Sequence, residues 1–345
     1  MSETNKDAKD MPYRRLGRSG LWVSPICLGT MMFGDRCDEA AAGRIVASAA
    51  EAGINFIDTA DVYAKGESER IVGRLIAGER DRWVVATKAG NPMGRDPNRT
   101  GLGRKWLLSA IEDSLSRLGT DYVDIFYLHK PDSGTPLEET LGAVADILAA
   151  GKSRHFGVSN FRGWQHAEIV RLCDAIGLPR PIVSQPYYNA MNRTPEVEVL
   201  PACGHYGIGV VPYSPLARGV LTGKYDPDAA PPEGSRAGRK DSRIMETEFR
   251  RESLVHARQI KARAEARGMT AGQFALNWVL ANPLVSAVLA GPRTEAQWQE
   301  YLGALAHDLT AEDEDFLDSL VPSGHPSTPG YSDPKYPITG RPVAR

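Results

Sequence analysis

The sequence predicts an α/β fold: a (β/α)8 TIM barrel with an N-terminal hairpin, extra helices and a long loop before the eighth strand. Three observations predict it. Short apolar runs alternate with amphipathic stretches that close on glycine before the next run begins. The runs are continuously apolar, as strands of a parallel sheet covered on both faces must be. Eight such runs can be counted, and eight right-handed crossover units favour a closed barrel over an open sheet.

Taken in order, a hairpin comes first, from YRRLG followed by LWVS. The first barrel run is SPICLG (24–29), and a helix follows over 38–52. Asp38 suits its N-cap, apolar residues recur three and four apart, and Gly53 closes it. The later runs are INFID (54–58), WVVATK (83–88), YVDIFYL (122–128), HFGVS (155–159), IVSQ (182–185), IGVVPY (208–213) and VSAVLA (285–290). Intervening helices close near Gly78, Gly119, Gly151, Gly177 and Gly207. About 70 residues separate the seventh and eighth runs: a Pro-, Gly- and Arg-rich loop (226–242), then helical segments at 249–267 and 270–281. The barrel domain is expected over 13–320. Residues 1–12 read as a disordered N-terminus, and 321–345, rich in Pro, Ser and Gly, as an irregular, mobile tail.

The 345 residues are 42% hydrophobic and 24% charged, ordinary for a soluble globular chain. Lys plus Arg total 41 against 43 Asp plus Glu, so nothing in the charge balance calls for nucleic acid or an anionic membrane. Cys27, Cys37, Cys173 and Cys203 form no CxxC pair and read as reduced thiols. The seven histidines show no HxxH or HExxH spacing, so no metal is expected. No run approaches the roughly 18 apolar residues of a membrane span. The polar start MSETNKDAKDM resembles neither a signal peptide nor an anchor, and a cytoplasmic protein is expected.

A barrel of this kind carries its chemistry at the C-terminal ends of its strands. Asp58 ends the second run, Tyr63 follows it, Lys88 ends the third, and His129 follows the fourth. Taken singly, these read as a turn cap, a packed aromatic, a solvated strand end and a rim histidine. Their coincidence on one rim outweighs those readings. Together they suit proton donation to an oxygen that becomes an alkoxide. A free tyrosine has a pKa near 10, and the Lys88 cation is expected to lower that of Tyr63. No side chain supplies a hydride, so a nicotinamide cofactor is implied. Met31, Met32, Phe33 and Met93, in the loops after the first and third runs, are candidates for the substrate mouth, with packing as the competing role.

At this point the chain resembles the aldo-keto reductases. The resemblance covers about 13–320 and rests on GTMMFG, DTADVYAKGESERIVG, VVATK, YVDIFYLHKPD, GKSRHFGVSNF, SQPYYN, VPYSPLARGVLTGKY and AGPRTEAQWQE, in that order. It implies a barrel that reduces a small-molecule carbonyl, with Asp58, Tyr63, Lys88 and His129 as catalytic tetrad and Tyr63 as general acid. By the same resemblance Ser159, Asn160 and Gln185 would hold the nicotinamide carboxamide, and Tyr213 would stack on its ring. Ser214, Leu216, Gly219 and Lys224 would run along the pyrophosphate, and Gly291, Arg293, Gln297 and Glu300 would take the adenosine end. Arg293 and Thr294 open the helix after the eighth strand, where amides and a guanidinium suit a phosphate dianion, so NADPH (NADP+) is preferred to NADH. Tyr301 departs from the pattern, standing where this branch often has Asn or His.

Two rivals remain. Relatives of this motif branch resemble potassium-channel β subunits, which implies a cofactor-binding regulatory protein with little turnover. A Schiff-base aldolase with Lys88 as nucleophile is the other. The segment GSRAGRKDSR (234–243) reads as a solvated loop or as a lid over the cofactor phosphates. Substrate identity and oligomeric state, including a homo-oligomer, stay open at this level.

Overall fold

The computed structural model describes residues 11–337. The chain opens with an antiparallel pair, β1 (Arg14–Arg15) and β2 (Trp22–Val23), in register Arg14 to Val23. Eight parallel strands follow: β3 (Ile26–Gly29), β4 (Phe56–Asp58), β5 (Val84–Ala89), β6 (Val123–Leu128), β7 (Ser153–Ser159), β8 (Val183–Gln185), β9 (Gly209–Val210) and β10 (Val288–Ala290). Each pairs with its sequence neighbour, and β10 returns to β3. The last seam closes where Ser286 N–H donates to Val210 O (2.9 Å) and Leu289 N–H to Pro212 O (2.9 Å). This is the (β/α)8 barrel that the alternation implied.

Helices cover the outside: α1 (Glu39–Glu51), α2 (Glu67–Ile76), α3 (Arg104–Leu118), α4 (Leu137–Ala149), α5 (Gly163–Ile176) and α6 (Val199–Tyr206). Asp38 caps α1 by accepting from Ala41 N–H at 2.8 Å, which satisfies one of the donors a helix start leaves free. Between β9 and β10 lie α7 (Ser242–Glu246), α8 (Arg251–Ala266) and α9 (Ala271–Ala281); α10 (Glu295–Gly303) and α11 (Ala311–Leu320) follow the last strand. Short α7 lies at the end of the stretch expected to be a loop. Gly78 does not close α2, which tightens instead into a 3-10 stretch over Ala77–Arg82. The seventh run is regular strand over only two residues; beyond them Val211 N–H still donates to Ser184 O (2.9 Å) and Tyr213 N–H to Pro186 O (3.0 Å), while Pro212 has no N–H to give.

The residues of each strand divide between two cores. Outward side chains pack against helices in one large cluster. Inward ones, among them Cys27, Phe56, Val84, Ala86, Ile125, Tyr127, Val183 and Val211, fill the barrel interior. Leu16 and Val23 of the hairpin belong to this inner cluster and plug the N-terminal end of the barrel.

The tail beyond α11 has no helix or strand over 321–337, yet it is tied down. Arg243 holds Asp333 through two hydrogen bonds (2.7 and 3.1 Å), Arg250 lies 3.7 Å over the Tyr331 ring, and Arg162 donates to Tyr336 O at 2.8 Å. A charge pair, a guanidinium over a ring and a hydrogen bond to the backbone anchor it where a Pro- and Ser-rich composition suggested mobility. Met11, from the segment expected to be disordered, packs against the core. The expectations for 1–10 and 338–345 lie outside the described residues.

Candidate active site

Strand alternation builds the site. Residues two apart share a face, so the inward positions run Phe56 then Asp58 on β4, Val84, Ala86 then Lys88 on β5, and Ile125, Tyr127 then His129 on and after β6. Val183 then Gln185 and Val211 then Tyr213 continue the pattern on and after β8 and β9. The lower members form the apolar plug and the last ones are polar. Polar groups therefore converge on the C-terminal rim above a hydrocarbon floor.

Asp58 and Lys88 are fully buried and form an ion pair through Lys88 Nζ and Asp58 Oδ1. The same ammonium donates to Thr59 O at 2.7 Å and to the Tyr63 hydroxyl at 3.3 Å. Burial alone would strip Lys88 of its proton, but Asp58 and Tyr63 more than offset it and hold the pKa above the usual lysine value. Burial pushes the Asp58 carboxyl above its ordinary range, against the pull of Lys88. The expected lowering of the Tyr63 phenol is reversed. Burial raises its pKa, Lys88 lowers it, Asp58 raises it again, and the net direction is upward, so the site holds a neutral phenol. The His129 ring meets Tyr63 edge-on, with centroids 6.0 Å apart. Burial first, then the charges of Lys88, Lys335 and Lys130, pulls His129 well below the usual histidine value, which leaves a neutral imidazole.

One polar chain links this cluster to the far wall. Gln185 Nε2 donates to Asp58 Oδ2 (3.0 Å), and Ser159 Oγ donates to Gln185 O (2.8 Å). Asn160 Nδ2 donates to Ser159 Oγ (3.0 Å), and the Tyr213 hydroxyl donates to Asn160 Oδ1 (2.8 Å). Asn160 and Ser214 hold φ values of 65° and 58°, a left-handed conformation that costs free energy in non-glycine residues and clusters at functional sites.

Asp58, Tyr63, His129, Ser159, Asn160, Gln185, Tyr213 and Ser214 border one cavity of about 610 Å³, and Lys88 lies behind Asp58 and Tyr63. At its other end stand Lys224, Arg236, Arg239 and Arg293 with Glu300. Gly219 belongs there because a Cβ would come within 3.0 Å of Lys224 Nζ, and its φ of +94° favours glycine. Thr294 caps α10 by accepting from Gln297 N–H at 3.3 Å, which turns the helix start toward this end. Mutually repelling cations around a missing side chain fit a polyanion such as a dinucleotide.

Residues 25–322 match the profile of the aldo/keto reductase family. The chain belongs to that family. This aldo/keto reductase is 37% identical over 302 residues to a probable voltage-gated potassium channel subunit beta of Arabidopsis thaliana, covering 86% of this chain and 91% of the relative. It is 35% identical over 331 residues to an uncharacterised oxidoreductase of Bacillus subtilis, covering 92% and 98%. It is also 35% identical over 330 residues to an L-glyceraldehyde 3-phosphate reductase of Escherichia coli O157:H7, covering 91% and 93%. Family and oxidoreductase-named relatives make it an oxidoreductase of the carbonyl-reducing class.

In this aldo/keto reductase the cavity brings together Asp58, Tyr63, His129, Ser159, Asn160, Gln185 and Tyr213 with Ser214, Leu216, Gly219, Lys224, Gly291, Arg293, Gln297 and Glu300. Tyr301 is also on its wall. Of the substrate candidates, Met31 and Met32 line it. Phe33 does not: a turn closed by Phe33 N–H to Thr30 O (2.9 Å) directs its ring into the core, fully buried. Met93 also misses the cavity and packs against the core, while Asn91 and Pro92 from the same loop reach it. Sequence reasoning passed over Arg36, Arg218, Lys335 and Tyr336, all on the wall. The last two had no signal, since their place depends on the path of an irregular tail.

Proposed function

We propose that this aldo/keto reductase uses NADPH to reduce an aldehyde or ketone to an alcohol, reversibly, with Tyr63 as proton donor. The observation that carries the reading is the buried Lys88 ammonium, shared between Asp58 and Tyr63 at the floor of a cavity with a cationic far end. Ser159, Asn160, Gln185 and Tyr213 would hold the nicotinamide half, Ser214, Leu216, Gly219 and Lys224 the pyrophosphate, and Gly291, Arg293, Gln297 and Glu300 the adenosine end. When bound, the cofactor supplies the hydride.

The chain's own residues handle the proton. Tyr63, kept neutral by burial, gives its hydroxyl proton to the carbonyl oxygen, and Lys88 stabilises the phenolate left behind. Asp58 keeps Lys88 charged and fixed. Neutral His129 donates a hydrogen bond that orients the carbonyl, and solvent returns a proton to Tyr63. In the oxidative direction the phenolate takes the alcohol proton. The cations at the far end would favour NADPH over NADH, because residues that hold a 2′-phosphate there would meet its added charge with their own. A cytoplasmic location completes the proposal, supported by four free cysteines and by the absence, among the described residues, of any helix long and apolar enough to cross a membrane.

The test is NADPH oxidation followed by absorbance over a panel of aldehydes, dicarbonyls and sugars, beside NADH and beside Tyr63→Phe. The variant is expected to lose kcat by at least about a hundredfold while NADPH affinity stays within a few-fold. Full activity in Tyr63→Phe would remove it from the mechanism. The similarity to a plant channel β subunit supports a second reading, a cofactor-binding regulatory protein. NADPH binding without turnover on any carbonyl would favour it.

A further inference from the structure

Arg36 apart, the cations of the cavity wall fall into two groups. Lys224 is surrounded by Arg293, Arg236 and Arg239, with Glu300 among them. At the end beside His129 stand Lys335, Arg243 and Arg218, with Lys130 behind. A dinucleotide accounts for the first group. It leaves the second unexplained.

In the second group, Arg218 is neutralised by Glu248 at 2.7 Å, and Arg243 by Asp333 and Glu246 at 2.7 and 2.9 Å. Lys335 differs. Its ammonium makes no hydrogen bond and no ion pair among the described residues, and lies 5.6 Å from the centre of the Tyr336 ring. Asp333, the acid closest in sequence, is occupied by Arg243 and by the Lys335 backbone N–H at 2.9 Å. The tail is pinned on both sides of Lys335, at Asp333 by Arg243 and at Tyr336 by Arg162. This anchored strap thus presents an unneutralised cation to the part of the cavity that Tyr63 and His129 also line.

We propose that the carbonyl substrate is an anion, a carboxylate or phosphate ester, whose charge is held by Lys335 while its carbonyl lies at Tyr63 and His129. This rests on the reductase reading. Burial, Arg243, Lys130 and Arg218 together pull the Lys335 pKa down, a strain that an incoming anion relieves. The Met31 and Met32 thioethers and the Tyr336 ring supply an apolar wall for the rest of the molecule.

The test compares charged and neutral partners of one size: 4-carboxybenzaldehyde with its methyl ester, and glyceraldehyde 3-phosphate with glyceraldehyde. The ratio of kcat/KM within each pair is measured with NADPH for the wild type, Lys335→Met and Lys335→Arg. The wild type is expected to prefer the charged member of at least one pair, which tells carboxylate from phosphate. Lys335→Met is expected to cut that ratio about fivefold or more, mainly through KM, and Lys335→Arg to keep it. A ratio near one in the wild type, or one unchanged in Lys335→Met, overturns the proposal while leaving the reductase intact. Should no carbonyl turn over, the reductase reading fails. Calorimetric binding of 4-carboxybenzaldehyde then decides the charge question, and equal affinity for wild type and Lys335→Met overturns it.

Discussion

Asp61 shows what burial does to a single residue. Fully buried in the loop between β4 and α2, its carboxyl has no side-chain hydrogen-bond partner among the described residues. Burial, then the nearby Glu69, pushes its pKa from 3.8 up to about 8. Between those values the folded chain keeps a proton that the unfolded chain releases. Stability therefore falls as pH rises through this window, by about 1.4 kcal/mol per unit, and the loss is complete above the folded value. Asp61→Asn cannot titrate, so its melting temperature is expected to fall less than the wild type's between pH 5 and pH 8.5. Equal slopes would clear Asp61 as the source. Legibility at this scale follows position on a strand. Asp58 and Lys88 could be read because a polar residue ending an apolar strand has one place to go. Phe33 and Asp61 could not, because their burial is decided by turns and by helices distant in sequence.

Gly157 carries the corresponding lesson for a strand. It sits on β7, where an added Cβ would come within 2.6 Å of Val183 Cγ1 and 2.7 Å of Tyr127 Cε1. The strand leaves out a side chain so that the Tyr127 ring can fill the barrel beneath Lys88, whose Nζ is 5.8 Å from that ring. Gly157→Ala overpacks the interior and is expected to cost about 1–3 kcal/mol in thermal or denaturant unfolding. An unchanged midpoint would mean that the barrel can widen there. Most elements were legible, since period and glycine punctuation are local signals. The tail was not: its order comes from Arg162, Arg243 and Arg250, residues of other elements that no local pattern in 321–337 announces.

For the whole molecule, distribution of charge matters more than its sum. The net charge is −2, yet the cavity wall gathers Arg36, Arg218, Lys224, Arg236, Arg239, Arg243, Arg293 and Lys335. A concave surface with an excess of positive charge attracts anions from solution and is screened by salt over about 8–10 Å. The value of kcat/KM for NADPH is therefore expected to fall as sodium chloride rises from low to physiological strength and beyond, more steeply than that for an uncharged aldehyde. Identical salt profiles for the two would show that the cavity field does not reach approaching ligands. The hairpin plug gives this field its direction. With Leu16 and Val23 sealing one end of the barrel in hydrocarbon, the interior below Lys88 is an insulator, and the ion pair faces charge from one side only. Whatever arrives at the open rim is felt by Asp58, Lys88 and Tyr63 without a compensating response from beneath, so the molecule behaves as a one-sided capacitor that each bound charge loads or discharges.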